Sequence, residues 1–330
     1  MAKLRTTVQL KRHFRYITAF LSSTTILLFL YFQNSAVITT YASYGIASKR
    51  AACGCNTCVA SRENGTWFSE RYNRTIPFLL NSTNSELNED ILKWWKGLQG
   101  AADVINYTYV VDILFSLFPD EDHFSDAGPD RCRTCAVVGN SGNLLRSNYG
   151  RLIDLHDFVL RINKGPTKGF EKDVGSKTTH RIMYPESAVD LDNSTHLVLF
   201  PYKILDMQWL ISIFTTKHIT ETYMSVPSTI NADRDKVMIL HPEFIKYVND
   251  KWAEGHGGYP STGFLTLIFA LHICDEVNVF GFGATSEGQW HHYFDDSMTS
   301  FSNLHGGDFE NQTIHFLHQQ NKISLHKGWT

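Results

Sequence analysis

Three short stretches of this chain carry side chains suited to holding an anion and moving a proton. In the first, the apolar run Cys135-Ala136-Val137-Val138 empties into Gly139-Asn140-Ser141-Gly142-Asn143. The glycines allow positive φ or close approach to a ligand. Asn140, Ser141 and Asn143 stand at the C-terminal end of a strand, where ligands of open α/β sheets bind. No Gly-Lys-Ser/Thr follows, so the turn is not a Walker A loop, and it lacks the six-residue dinucleotide fingerprint. The second stretch is Gly257-Gly258-Tyr259-Pro260-Ser261-Thr262-Gly263, which runs straight into an apolar helix. Pro260 suits the turn, and Ser261 or Thr262 can cap the helix. Backbone N–H groups at such a start, with the helix dipole behind them, accommodate a phosphate without a metal. An ordinary capped helix would carry the same signature. The third is rich in histidine: His291-His292-Tyr293 follows a Gly281-Phe282-Gly283 turn, and His305 precedes Asp308 and Glu310. Histidine is the side chain best poised for acid–base work near neutral pH. Adjacent histidines point apart on a strand or helix, so His291 and His292 make a poor chelating pair.

The elements around these stretches alternate. Phe158 to Asn163, Arg181 to Tyr184, Leu197 to Pro201, Val237 to Leu240 and Val277 to Phe282 read as buried strands. Lys203 to Phe214, Pro242 to Ala253 and Thr262 to His272 read as helices, and Asp308 to Asn321 as one more before a short strand at Ile323 to His326. This alternation indicates a sheet covered by helices on both faces. Upstream, Ser85 to Gln99 reads as a helix with a cap-like Ser85, early acids, late lysines and Gly100 to stop it. Its adjacent Trp94 and Trp95 belong to an apolar face with Ile91, Leu92 and Leu98, a packing arrangement rather than a recognition one.

The 330 residues suit one large α/β domain or two smaller ones, and a net charge of −3 gives no bulk polycation for nucleic acid. The N-terminus is different. Lys3, Arg5, Lys11, Arg12 and Arg15 crowd it, and no Asp or Glu occurs before Glu63. Tyr16 to Phe32 is uncharged and mostly apolar, just long enough to cross a thin bilayer as a helix. The positive-inside rule then assigns residues 1–15 to the cytosol, 16–32 to a signal anchor, 33–52 to a stem and 53–330 to a lumenal domain. A cleaved signal peptide ending near Ala42 is the competing reading. The six cysteines, Cys53, Cys55, Cys58, Cys132, Cys135 and Cys274, are an even set suited to three disulfides in an oxidising compartment. Cys55-x-x-Cys58 and Cys132-x-x-Cys135 also have zinc-ligand spacing. Asn64, Asn73, Asn81, Asn106, Asn193 and Asn311 head N-glycosylation triplets.

Taken in order, the Cys135 stretch, the His241 to Gly283 stretch, His291-His292-Tyr293 and His305-x-x-x-x-Glu310 resemble the large, small, third and very small sialylmotifs of animal Golgi sialyltransferases. The likeness is closest to the β-galactoside α-2,3-sialyltransferases that act on Galβ1-3GalNAc, and it covers nearly all of the chain from Cys53 onward. It implies a modified nucleotide-binding, Rossmann-like α/β domain of the glycosyltransferase A variant, with a twisted, mainly parallel sheet between helices. It implies transfer of sialic acid from CMP-sialic acid to the 3-OH of a terminal galactose, with inversion and without a metal or other cofactor.

Residue by residue, the resemblance gives Asn140, Ser141 and Asn163 to the CMP-sugar, and Ser261, Thr262 and Gly263 to the nucleotide. Tyr223 and Tyr259 correspond to phosphate contacts, Gly283 to the same pocket and Gln99 to an acceptor-side contact. His292 corresponds to the group that stabilises departing CMP, and His305 to the general base. The implied disulfides are Cys53–Cys58, Cys55–Cys132 and Cys135–Cys274. The implied partners are the donor, a Galβ1-3GalNAc acceptor on O-glycans or glycolipids, and the Golgi membrane; a homodimer is left open. Gly306 departs from relatives, which carry an acid there, and the loop between His292 and His305 is short. A catalytically silent glycan- or nucleotide-binding homologue is the alternative reading. A metal-dependent UDP-sugar transferase would instead use Asp190-Leu191-Asp192 or Asp233-Arg234-Asp235, whose polar surroundings suit solvated loop acids better.

Overall fold

The computed structural model describes residues 22–26, 31, 52–61, 66–99, 105–120, 124–284, 291–295 and 305–328. The chain forms two compact units, Met1–Ala51 and Ala52–Thr330. In the first, residues 22–26 are helical. Among the described residues no helix is long and apolar enough to cross a membrane. Most of the expected anchor at 16–32, nearly all of the stem at 33–52 and the Asn64 triplet lie outside the described residues.

The second unit begins with helices α1 (Thr66–Arg71), α2 (Glu89–Gly97) and α3 (Tyr107–Leu117), followed by strand β1 (Thr134–Val138). Then come α4 (Gly150–Asp154), β2 (Phe158–Ile162), α5 (Glu171–Val174), β3 (His180–Met183), β4 (His196–Leu199), α6 (Ile204–Phe214) and β5 (Val237–Ile239). The chain closes with α7 (Pro242–Tyr247), α8 (Thr262–Ile273), β6 (Glu276–Phe280), α9 (Gly307–Gln319) and β7 (Ser324–His326). The seven strands lie in the order β5-β4-β3-β2-β1-β6-β7, and every neighbouring pair is parallel. The chain walks outward from β1 to β5, then returns through α8 to lay β6 on the other side of β1. The C-terminal ends of β1 and β6 therefore flank the point where strand order reverses, the usual ligand crevice of such sheets.

Parallel strands covered on both faces need continuous apolar runs rather than alternation, and β1, β2 and β6 are buried after their first residue. Helix α8 is apolar all round, as a fully buried helix must be. It packs against β1, β2 and β6. Its Phe269 meets the rings of Phe78, Phe124, Phe200 and Phe244. Strands β4 and β6 end two residues earlier than the sequence reading, at Leu199 and Phe280, and three further differences have local causes. Helix α2 begins at Glu89, not Ser85, because the Asn88 side chain accepts the Asp90 N–H as its cap. The helix from Pro242 widens into a π turn at Val248–Trp252. Strand β2 stops before Asn163, whose φ of 53° is left-handed, a conformation asparagine tolerates better than most residues.

All six cysteines are joined, as Cys53–Cys58, Cys55–Cys132 and Cys135–Cys274. The last ties β1 to the residue after α8. Beside it Arg131 clasps Asp275 through two bonds of 2.7 and 2.9 Å, and Asp275 also accepts the Arg133 N–H at 2.8 Å. These contacts hold the starts of β1 and β6 together. Replacing Cys135 and Cys274 by alanine is expected to lower the unfolding free energy by about 2–5 kcal/mol, measured by denaturant unfolding against the parent chain. A midpoint and slope equal to the parent's would show that the link contributes nothing.

Candidate active site

The site grows from the close approach of two strand ends. Gly139 donates its N–H to Phe280 O at 2.8 Å and Ser141 donates to Gly281 O at 3.1 Å. A Cβ on Gly139 would lie 2.4 Å from Gly281 O, so only glycine fits there. Gly281 and Gly283, with φ of 70° and 92°, turn the chain after β6 in the left-handed region. The Ser141 hydroxyl then donates to Gly283 O at 2.7 Å, and the Asn143 amide donates to Phe282 O at 2.9 Å. Asn140 reaches the other way, donating to Ile162 O at 3.1 Å. Its neighbour, the turn after β2, is held by Arg181, which donates to Asn163 O at 3.1 Å and Gly165 O at 2.9 Å.

Against this floor lie the histidine segments. Ser141 and His292 form an isolated antiparallel bridge, as do Gly257 and His305. The Gly142 N–H donates to His291 O at 2.7 Å, and a Cβ at Gly142 would lie 2.2 Å from the His291 ring. His292 Nδ1 lies 3.2 Å from Asp295 Oδ1, and its ring stacks on Phe294. His305 Nδ1 lies 2.9 Å from the Tyr259 carbonyl. A carbonyl only accepts, so Nδ1 carries the proton and Nε2 of the neutral ring is left with a lone pair. The Tyr259 ring meets the His305 ring edge-on at 5.0 Å.

Glu310 ties the start of α8 to α9. It accepts the Ser261 N–H at 2.7 Å and the Ser261 hydroxyl at 2.6 Å, while Ser261 Oγ caps α8 through Phe264 N. Burial pushes the Glu310 carboxyl up, opposed by the Ser261 bonds and by His305.

An open cavity of about 420 Å³ results, lined among others by Asn140, Ser141, Ser261, Gly263, Gly283, His292 and His305. Seven of the twelve candidate binding and catalytic residues thus share one wall, among them Gly263 in the first turn of α8. The other five sit beside it. Asn163 adjoins the cavity-lining Ile162. The Thr262 hydroxyl pairs with Tyr202 at 2.9 Å. Gln99 donates to the Tyr259 hydroxyl at 3.2 Å, and Tyr223 is exposed on a turn, its ring 4.9 Å from Lys203 Nζ. Tyr223 and Tyr259 therefore stand with Gln99 rather than on the cavity wall. Sequence reading missed His291 and Phe282 as wall residues, and gave Glu310 no site role although the His-x-x-x-x-Glu pattern contained it.

Among the glycosylation triplets, Asn73, Asn106 and Asn193 are exposed and Asn81 is half-buried. Asn311 lines the cavity, where a glycan would fill it. Asp190 accepts the Asn231 N–H, Asp192 accepts from Ser194 and Thr195, and Asp233 caps the turn at Asp235. Among the described residues no group of three or more His, Cys, Asp or Glu is placed to hold a metal ion. A smaller cavity of about 210 Å³ beside β5 is lined by no titratable side chain.

The family model described as glycosyltransferase family 29 (sialyltransferase) matches residues 79–322. The chain is 47% identical over 281 residues to CMP-N-acetylneuraminate-beta-galactosamide-alpha-2,3-sialyltransferase 1 of Sus scrofa, covering 84% of this chain and 82% of that protein. Its identity to the Gallus gallus protein of the same name is 42% over 336 residues, covering 96% and 98%. A solved mammalian sialyltransferase in complex with Gal-beta-1-3GalNAc-ortho-nitrophenol superposes with a TM-score of 0.78 at 47% identity, over 84% of this chain and 99% of that one. The chain thus belongs to glycosyltransferase family 29, the sialyltransferases.

Proposed function

We propose that this chain transfers sialic acid from CMP-sialic acid to the 3-OH of a terminal galactose in Galβ1-3GalNAc-ended O-glycans or glycolipids, with inversion. The names of its relatives and the acceptor analogue held by the solved neighbour support donor and acceptor. The observation that carries the mechanism is the Nδ1–H bond of His305 to Tyr259 O. It leaves Nε2 to take the proton as the galactose oxygen attacks the anomeric carbon. The bond from that carbon to the phosphate breaks, and its electron pair leaves with CMP. His292, with Asp295 at Nδ1, and the α8 amides offset the charge growing on the phosphate. No metal takes part in this proposal. Membership of the Golgi membrane as a type II protein belongs to it too, supported by the basic residues before Tyr16, the apolar run to Phe32 and the three disulfides.

The test is transfer by the full chain in detergent with EDTA, using CMP-sialic acid and Galβ1-3GalNAc, with linkage analysis of the product. An α-2,3 product is expected, and no product from a chain that still binds CMP would defeat the proposal. His305→Ala is expected to abolish transfer while CMP binding, followed by calorimetry, persists; retained turnover would remove His305 as the base. His292→Ala should lower kcat by about 10²-fold, and an unchanged kcat would take it out of the mechanism. Gly306 is packed so tightly that a Cβ would lie 2.6 Å from His256 O. Gly306→Ala should therefore displace the His305 segment, costing about 1–3 kcal/mol of stability together with turnover, as read by thermal melting and initial rates.

A further inference from the structure

Beside the cavity lies a buried charged cluster that the reaction above leaves unused. Lys203, whose side chain is 5% exposed, places its ammonium 3.1 Å from Glu186 Oε1, 2.6 Å from Asp206 Oδ1 and 2.8 Å from Gln99 Oε1. Glu186 also accepts the Thr222 hydroxyl, and Asp206 Oδ2 accepts the Tyr202 N–H at 2.8 Å. The ammonium thus faces three oxygens and lies over the Tyr223 ring. An ammonium has donors and no acceptor, so Gln99 must turn its carbonyl oxygen toward Lys203. Flipping the amide would set N–H against N–H. Its NH₂ side therefore faces the Tyr259 hydroxyl, and Tyr259 in turn orients His305 through its carbonyl.

We propose that Lys203 is a positioning residue for the acceptor. It locks the Gln99 amide with its donor side toward the Tyr259 hydroxyl, and so selects acceptor sugars that present a hydroxyl lone pair next to the hydroxyl being deprotonated. Glu186 and Asp206 serve to hold that ammonium in place. This rests on the transferase reading above, and wild-type transfer is the control that separates the two: its absence strikes the reading, whereas transfer indifferent to Lys203 strikes only this inference.

The experiment compares Lys203→Met, Lys203→Arg and Gln99→Glu in the full chain, with steady-state kinetics on Galβ1-3GalNAc and CMP-sialic acid. Lys203→Met should raise the acceptor KM about tenfold, the loss of one well-oriented hydrogen bond, and leave the donor KM unchanged. Lys203→Arg, again a pure donor, should restore most of the loss. In a Gln99→Ala background Lys203→Met should add nothing further. Gln99→Glu decides the matter if Lys203→Met does not fold, because its carboxylate keeps the Lys203 partner and removes only the outward donors. It should show the same rise in acceptor KM alone. An unchanged acceptor KM, or a parallel rise in both KM values, overturns the proposal.

Discussion

Backbone-to-backbone contact at the C-terminal ends of β1 and β6 governs the rest of this molecule. Gly139 and Gly281 approach so closely that a single methyl at the former would meet a carbonyl oxygen. That contact exists because the sheet reverses its order at β1, and a reversal leaves two loops diverging from one seam. Ser141, Asn143 and Gly283 knit the two loops into one polar floor. The histidine segments then dock on this floor through backbone bridges, Ser141 to His292 and Gly257 to His305. The side chains proposed for the chemistry are thereby placed by main-chain pairing.

Stiffness at the seam is secured from the opposite end. Cys135–Cys274 and the Arg131–Asp275 clasp bind the two strands where they begin. Their registers are then carried by parallel pairing up to the glycine turns. Helix α8 lies across the same strands and delivers Ser261 to the cavity at one end and Cys274 to the disulfide at the other. One helix therefore couples the covalent anchor to the cavity.

Much of this was legible in the chain because the signals are local. The apolar runs ending in Gly139 and Gly281 marked two strands, and Pro260-Ser261 marked the start of α8. The histidines stood out by residue type, and the structure brings His292 and His305 to one cavity. What stayed hidden depends on contacts between distant residues. Lys203 reaches Gln99 across 104 positions, and Gln99 reaches Tyr259 across 160, so no window of sequence shows that they form one unit. Helix α3 was missed because its buried Val110, Val111 and Leu114 sit among further apolar residues without a clear polar face. Six cysteines allow many pairings, and spacing alone does not choose among them. Asn88 shortened α2 through a capping bond, where residue type alone made Ser85 an equally suitable cap.

The position of Cys55 has a mechanical consequence. The chain enters the folded unit at Ala52, and within three residues Cys55 is bolted to Cys132, just ahead of β1. That attachment is at the strand-start edge, roughly 13 Å of strand away from the glycine turns at about 3.3 Å per residue. Through Cys55–Cys132 the beginning of this unit is joined covalently to the base of the sheet. The cavity lies at the opposite end of β1, so strain introduced at Cys55 enters the sheet at its base and reaches the site only through the strand pairing.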